Sequence, residues 1–350
     1  MMGKPYIHIH EVHKTYPDGT KALEPIHLEI RHGEVLVLLG PSGCGKSTLL
    51  RMIAGLEQTS GGSITVNGEE ISHLPPEKRD IGLVFQQYAL FPTMTVAQNI
   101  AFGMKLRKKS KQEIQKKVQD MLELMNLQEL KDRKPAQLSG GQQQRAAVAR
   151  ALATEPKILL MDEPLTALDA KLKEYLRIEL AQLFRKLNIT TVYVTHDQVE
   201  AMATADRIAV MDKGVIRQIG TPKEIYHQPK SPFVAQFVGQ VNRLKGQAVR
   251  TKEGWSVHFG FALSPYHGTR DIEEGEEVEA FLRPEDISVE VSSGTGFPVR
   301  IRDSIFLGER YRVIAEAAGQ KLLLDVPNDI QLNEGDQVQL QLQHHKLIYT

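Results

Sequence analysis

The chain of 350 residues contains one cysteine, Cys44. A single thiol cannot form an internal disulfide, which suits a reducing compartment such as the cytosol. Long apolar runs are lacking too: none approaches the roughly 18 residues that a membrane-crossing helix needs. The opening MMGKPYIHIHEVHKTYPDG has no apolar stretch of signal-peptide length. Net charge is also missing, because 43 Lys and Arg balance 43 Asp and Glu. That balance argues against a chain built for non-specific attachment to nucleic acid or anionic lipid. Work at a membrane would therefore require a partner. What is present is an ordinary globular composition, 41% hydrophobic and 25% charged. The length calls for at least two domains.

From residue 1 to about 237, short apolar runs alternate with helical patterns, which predicts an α/β domain with a largely parallel sheet. Val35–Leu39, Ile81–Phe85, Ile158–Met161 and Thr191–Thr195 read as buried strands. STLLRMIAG reads as a helix ending near Gly55, and RIAVMDKGVIRQIG as a hairpin turning at Lys213-Gly214. Residues from about 91 to 145 form a mainly helical insert. Within it, Ser110 and Glu113 have capping-box spacing, and Ile114, Val118, Met121, Leu122 and Met125 share one helical face. TPKEIYHQPKSPFVAQF, with three prolines, reads as a connection. Residues 238–350 then predict a small all-β, OB-like barrel of short strands between Gly, Pro and Asn turns.

The chemistry starts at GPSGCGKST, residues Gly40, Pro41, Ser42, Gly43, Cys44, Gly45, Lys46, Ser47 and Thr48. It fits G-x-x-x-x-G-K-[ST] between a strand and a helix. Glycines let backbone N–H groups face phosphates, Lys46 reaches the β- and γ-phosphates, and the Ser47 hydroxyl faces Mg²⁺. The helix aims its N-terminus at the same anions. KILLMDEP adds a strand ending in two carboxylates. Asp162 is placed to hold Mg²⁺ directly or through water, and Glu163 to serve as general base toward an attacking water.

LSGGQQQR, Leu138 to Arg145, completes a set that resembles the ATPase subunits of ATP-binding-cassette (ABC) transporters over essentially the whole chain. The resemblance implies a P-loop nucleotide-binding domain with ATP and Mg²⁺ as ligands. It implies a homodimer in which Ser139, Gly140, Gly141 and Gln142 of one copy close on ATP held by the other. Gln86, after IGLVF, matches the family's glutamine loop and would meet Mg²⁺ or the attacking water. His196, after TTVYVT, matches the switch histidine on the γ-phosphate, whose imidazole can donate to a developing anion. Asp169 matches the loop that bridges the subunits. Tyr16 matches the aromatic that stacks on adenine. Tyr88, Leu90 and Phe91 match the socket for a helix of a membrane subunit; ordinary packing of the helical insert is the alternative.

With one glycine loop, one LSGGQ, no coiled-coil insertion and no membrane helix, the resemblance narrows to a separate subunit. It would drive two integral membrane permease subunits from the cytoplasmic face of a bacterial inner membrane, served indirectly by an extracytoplasmic solute-binding protein. LRPEDISV, Leu282 to Val289, resembles the accessory (TOBE-type) barrel of importer ATPases. FVGQVNRLKG and LQHHKLIY look similar to sulfate/thiosulfate importers, which makes those anions the expected cargo. Other oxyanions, sugars, polyamines and iron are the alternatives, as is a cytosolic ATP-driven regulator without a transporter. His344 and His345 are adjacent and would point to opposite faces of a strand, so they read as structural. Cys44 fills a variable position of the loop; Lys46 and the helix N-terminus are expected to favour its thiolate.

Overall fold

The computed structural model describes residues 5–166, 168–268, 270–290, 296–343 and 347–349. His344 and His345 lie outside these described residues. The chain divides into two compact units, residues 1–222 and 223–350.

The first unit holds two sheets. β1 (Ile7–Thr15), β2 (Lys21–Ile30), β4 (Gly61–Val66) and β5 (Glu69–Glu70) form an antiparallel sheet in the order β2-β1-β4-β5. The larger sheet contains β3 (Val35–Leu39), β6 (Ile81–Val84), β7 (Ile158–Asp162), β8 (Thr190–Thr195), β9 (Arg207–Asp212) and β10 (Val215–Gly220). Its order is β10-β9-β3-β8-β7-β6, and all neighbours are parallel except β9 and β10. Every residue of β3, β7 and β8 is buried. That explains why these strands read as unbroken apolar runs and not as alternating ones: helices and the second sheet leave neither face to water. Leu36, Leu38, Ile158, Leu160, Val192 and Val194 share one core with Ile7, Ile9 and Leu28 of the antiparallel sheet. β9 and β10 form the expected hairpin, with Lys213 at φ 47° and Gly214 at φ 78° supplying the positive φ values that a two-residue turn demands.

Helix α1 (Lys46–Ala54) follows β3 and stops at Gly55, whose φ of 79° makes a left-handed C-cap. Between β6 and β7 come α2 (Val96–Leu106), α3 (Lys111–Leu124) and α4 (Gly140–Leu152). Ser110 and Glu113 cap α3 reciprocally, as their spacing requires, and Met121, Leu122 and Met125 are buried on the expected face. After β7, α5 (Ala170–Leu187) starts at an Asp169 cap, and α6 (Gln198–Thr204) starts at an Asp197 cap.

The second unit begins with α7 (Pro222–His227) and α8 (Pro232–Phe237). The proline-rich segment read as a connection is thus largely helical, with Pro232 at a first helical position, where its missing N–H costs nothing. Among the described residues, ten strands follow in two antiparallel sheets. β11 (Asn242–Thr251), β12 (Gly254–His258), β13 (Leu263–Pro265), β14 (Glu277–Leu282) and β20 (Ile348–Tyr349) form the first. β15 (Ile287–Glu290), β16 (Phe297–Phe306), β17 (Arg310–Ala317), β18 (Gln320–Pro327) and β19 (Gln337–Leu342) form the second. Leu244, Ala280 and Leu282 from one sheet and Val299, Val313 and Leu340 from the other bury into a common core, giving an all-β, barrel-like domain.

Arg283, from LRPEDISV, is buried at 1% exposure. It donates to the carbonyls of Ala235, Gln240 and Tyr226 at 3.1 Å each, and its guanidinium lies 4.1 Å from the Tyr226 ring centroid. One side chain therefore ties α7 and α8 to the strands that follow. Charged donors to buried carbonyls are the stronger kind of hydrogen bond. Arg283→Ala is expected to destabilise the second unit by about 3 kcal/mol, read as a lower urea midpoint. Arg283→Lys should recover little, since one ammonium cannot span a planar fork of three carbonyls.

Candidate functional site

The strand order decides what the site contains. β3, β8, β7 and β6 are consecutive neighbours, although residues of one lie far from residues of the next in the chain. At their C-terminal ends the sheet aligns the loop 40–45, His196, the Asp162-Glu163 pair and Gln86. That edge is where open α/β sheets bind ligands.

The glycine loop is held by its surroundings. A Cβ on Gly40 would lie 2.3 Å from the Met211 carbonyl oxygen. Gly45, at φ 100°, has Leu23 Cδ2 2.5 Å and the Ala22 carbonyl 2.6 Å from the position of a Cβ. Both positions therefore exclude any side chain, one by space and one by space and φ together. The same close approach sets the β1–β2 hairpin, which carries Tyr16, against the loop. Tyr16 is half-buried, and the Lys14 ammonium lies 5.0 Å from its ring centroid. Lys46 is buried and donates to the carbonyls of Gly40 at 2.8 Å and Pro41 at 2.9 Å. The ammonium is thereby held inside the loop.

Ser47 Oγ donates to Asp162 Oδ1 at 2.7 Å. A hydroxyl and a carboxylate in contact form an all-oxygen donor set of the kind a hard divalent cation takes, so these residues fit Mg²⁺. Beside them, one oxygen of Glu163 gathers three groups. Gln86 Nε2 donates to Glu163 Oε2 at 3.4 Å, Thr166 Oγ1 donates to it at 3.1 Å, and His196 Nδ1 lies 3.1 Å from it. Glu163 itself sits at φ 45°. A non-glycine residue in the left-handed region is strained, and such strain persists where the surroundings over-determine it. Here the Glu163 N–H donates to the Val194 carbonyl at 3.0 Å, which pins the backbone to the next strand.

The loop bearing His196 has a support that sequence reasoning missed. Glu200, on α6, is 2% exposed. It accepts from Thr195 Oγ1 at 2.6 Å and Tyr193 Oη at 3.1 Å, and Thr195 Oγ1 in turn accepts from the Asp197 N–H at 2.9 Å. Burial pushes the Glu200 carboxyl above its ordinary range, against the two hydroxyl hydrogen bonds that lower it. The available signal was Glu200 four residues past His196 on a capped helix, one turn back toward the strand.

Ser139 is the N-cap of α4, in a reciprocal capping box with Gln142. Among the described residues, no hydrogen bond joins residues 139–142 to the glycine loop or to Glu163. Gly140 packs instead against Leu168, whose Cδ2 would lie 2.6 Å from a Cβ placed there.

Two expectations need correction. Cys44 is 3% exposed, packed in the core of the first unit, and its Sγ lies 3.8 Å from Lys46 Nζ. Burial pushes the thiol up, and this outweighs the opposing pull of the Lys46 charge. The thiol form is favoured, not the thiolate, because removing a charge from water costs more than one neighbour returns. Tyr88, expected to face a partner, is 4% exposed. Tyr88 and Ala89 are both left-handed, at φ 60° and 47°, and Arg150 holds the turn by donating to the Tyr88 carbonyl at 2.9 Å and the Ala89 carbonyl at 2.6 Å. That turn takes the ring into the interior. Leu90 and Phe91 are half-buried, with Phe91 held by the fully buried Asn99, which accepts from its N–H at 2.8 Å. The exposed aromatic of this segment is Phe85, at 39%.

Comparison with known proteins agrees with this geometry. The ABC transporter family matches residues 23–166, and the TOBE domain family matches residues 280–349. The spermidine/putrescine import ATP-binding protein PotA of Oleidesulfovibrio alaskensis is 45% identical over 307 residues, covering 85% of this chain and 82% of that protein. The sn-glycerol-3-phosphate import ATP-binding protein UgpC of a Jannaschia species is 46% identical over 320 residues, covering 91% and 90%. Among solved structures, the dimeric ATP-binding cassette MJ0796 bound to ADP and Pi superposes with a TM-score of 0.56 at 35% identity, covering 62% of this chain and 98% of that one. The chain belongs to the ABC transporter family of ATPases. It is a P-loop, ATP-hydrolysing member with ATP and Mg²⁺ as its ligands, carrying a TOBE domain.

The buried thiol generates a direct expectation. Iodoacetamide should modify Cys44 far more slowly in the folded protein than in urea, and the native rate should keep rising above the pH range of ordinary thiols. Intact-mass spectrometry measures both. Rapid native alkylation at neutral pH would show that burial does not control this thiol.

Proposed function

We propose that two copies of this chain form the ATP-hydrolysing engine of an importer, attached peripherally to the cytoplasmic side of two membrane permease subunits. The observation that carries the reading is Glu163 Oε2, which meets Gln86, Thr166 and His196 together beside the Ser47–Asp162 pair. In this reading Lys46 and the loop amides of Gly40 to Thr48 hold the phosphates of the substrate ATP. Tyr16 stacks on its base. Ser47, Asp162 and Gln86 would hold Mg²⁺, which supplies charge neutralisation at the phosphates. Glu163 takes the proton of the attacking water, and Gln86 and His196 orient that carboxylate. His196 also donates toward the γ-phosphate. Ser139, Gly140, Gly141 and Gln142 of the second copy complete the site. The α4 N-terminus suits an anion, because its first N–H groups have no intrahelical partner. Phe85, Leu90 and Phe91 form the contact to a permease helix.

For the cargo, the expected sulfate or thiosulfate finds no support in the relatives compared. A polyamine of the spermidine/putrescine class is the reading favoured by relatives named for it. sn-Glycerol-3-phosphate is the second reading, favoured by the high coverage of the relative so named. No residue of the ATP site discriminates between them. Recognition of cargo belongs to the permeases and to a solute-binding protein outside the cell.

Two outcomes are expected. Glu163→Gln should keep ATP binding and lose about 10²-fold or more in turnover, checked by nucleotide titration and phosphate release. Turnover near that of the parent would remove Glu163 from the role of base. In host cells lacking the chain, uptake of labelled putrescine and spermidine should fall to background and return with the parent chain but not with Glu163→Gln. Loss of sn-glycerol-3-phosphate uptake alone would select the second reading.

A further inference from the structure

The strand that delivers His196 is held from one side by a single carboxyl. Tyr193 and Thr195 stand two residues apart on β8 and share a face, while Val192 and Val194 enter the core on the other. Tyr193 and Thr195 are buried, and both hydroxyls donate to Glu200 Oε2, at 3.1 and 2.6 Å. The Thr195 hydroxyl has one proton, which goes to Glu200, so its oxygen is left to accept the Asp197 N–H at 2.9 Å. A relay therefore runs from Glu200 through Thr195 to the backbone on the far side of His196. Asp197 Oδ1 accepts in turn from the N–H groups of Val199 at 2.8 Å and Glu200 at 3.2 Å, which closes a ring of hydrogen bonds. The His196 side chain takes no part in that ring. It is 45% exposed and lies 3.1 Å from Glu163 Oε2 through Nδ1.

A buried carboxyl is a costly way to pack a helix on a strand. Apolar side chains would hold α6 on β8 without that desolvation. What the carboxyl adds is direction. Hydrogen bonds fix the Thr195 hydroxyl and the Asp197 peptide at set angles, where apolar contact would let both slide. Thr195 and Asp197 flank His196, so the direction in which the imidazole leaves the backbone follows from theirs. Arg177 of α5 lies 4.0 Å from the Asp197 carboxylate, too far for a hydrogen bond, and adds charge to this loop without fixing an angle.

We propose that Glu200 is a positioning residue for ATP hydrolysis: through Thr195 and the Asp197 N–H it sets how His196 meets Glu163. This role rests on the part given to His196 in orienting the Glu163 carboxylate. Among the described residues, no hydrogen bond joins Glu200 to the glycine loop, Ser47, Asp162 or Glu163; its partners are Tyr193 and Thr195. Its effect therefore falls on turnover and not on the affinity for ATP.

The test uses variants of the full chain, read by phosphate release, by ATP titration and by the ring-carbon resonances of labelled histidine. Glu200→Ala is expected to lower kcat about ten-fold, the worth of one buried hydrogen bond, with ATP affinity unchanged. Thr195→Val keeps the shape and removes the relay; it should lose as much, which guards against a failure of Glu200→Ala to fold. Glu200→Gln, whose carbonyl oxygen can accept from both hydroxyls, should restore turnover. The His196 resonance, identified by its absence from His196→Ala, should move in Glu200→Ala and Thr195→Val and return in Glu200→Gln. A carboxyl that only stabilised α6 would leave it in place. The proposal is overturned by parent-like kcat in Glu200→Ala and Thr195→Val beside a crippled His196→Ala, by a loss of ATP affinity in place of turnover, by Glu200→Gln as slow as Glu200→Ala, or by an unmoved His196 resonance. Parent-like turnover in His196→Ala is the distinct result that removes His196 from its part in hydrolysis, and the role of Glu200 with it.

Discussion

The order β3-β8-β7-β6 is the constraint on which the candidate site depends. Parallel strands need long crossover connections, so neighbours in the sheet are distant in sequence. That separation lets four short segments, each chemically unremarkable, end side by side at one edge. Asp162 would otherwise be a carboxylate at a strand end, and Ser47 a hydroxyl at a helix start. The sheet places them 2.7 Å apart. The strain at Glu163 belongs to the same arrangement. Its N–H is fixed to β8, and its side chain turns back toward residues delivered by β6 and β8.

Burial rather than local charge governs the two groups inside the glycine loop. Lys46 is kept there by carbonyls of the loop it serves, and Cys44 by the hydrophobic core behind it. A reading based on neighbours in sequence sees a cation two residues from a thiol and assigns an activated sulfur. The tertiary environment reverses this, because the core removes the water that would stabilise the thiolate. Tyr88 follows the same logic. The sequence shows an aromatic beside a motif, while two successive left-handed residues and the Arg150 hydrogen bonds decide which way it faces.

Arg283 and Glu200 illustrate support that sequence patterns do not reveal. Both are charged residues in the interior, where a charge is tolerated only with partners. Arg283 finds three backbone carbonyls, and Glu200 two hydroxyls. Spacing could single out Glu200, four residues past His196, but it could not name the groups that meet either side chain. The carbonyls are contributed by α7, α8 and the turn after α8, and the hydroxyls depend on which face of β8 meets α6.

By itself the sequence determined what depends on local periodicity and fixed spacing. The buried strands, the Ser110–Glu113 cap, the Gly55 stop, the Lys213-Gly214 turn and the glycine loop were legible because each leaves its pattern within a few residues of sequence, even where distant segments hold it in place. The motif set also carried the family, since its residues must keep their chemistry whatever surrounds them. Tertiary structure decided what depends on distant neighbours: the triple contact at Glu163, the protonated state of Cys44, the inward Tyr88, and the three carbonyls that meet Arg283. The physical reason is common to all four. Charge, strain and hydrogen-bond satisfaction are properties of an environment, and that environment exists only once remote segments have packed together.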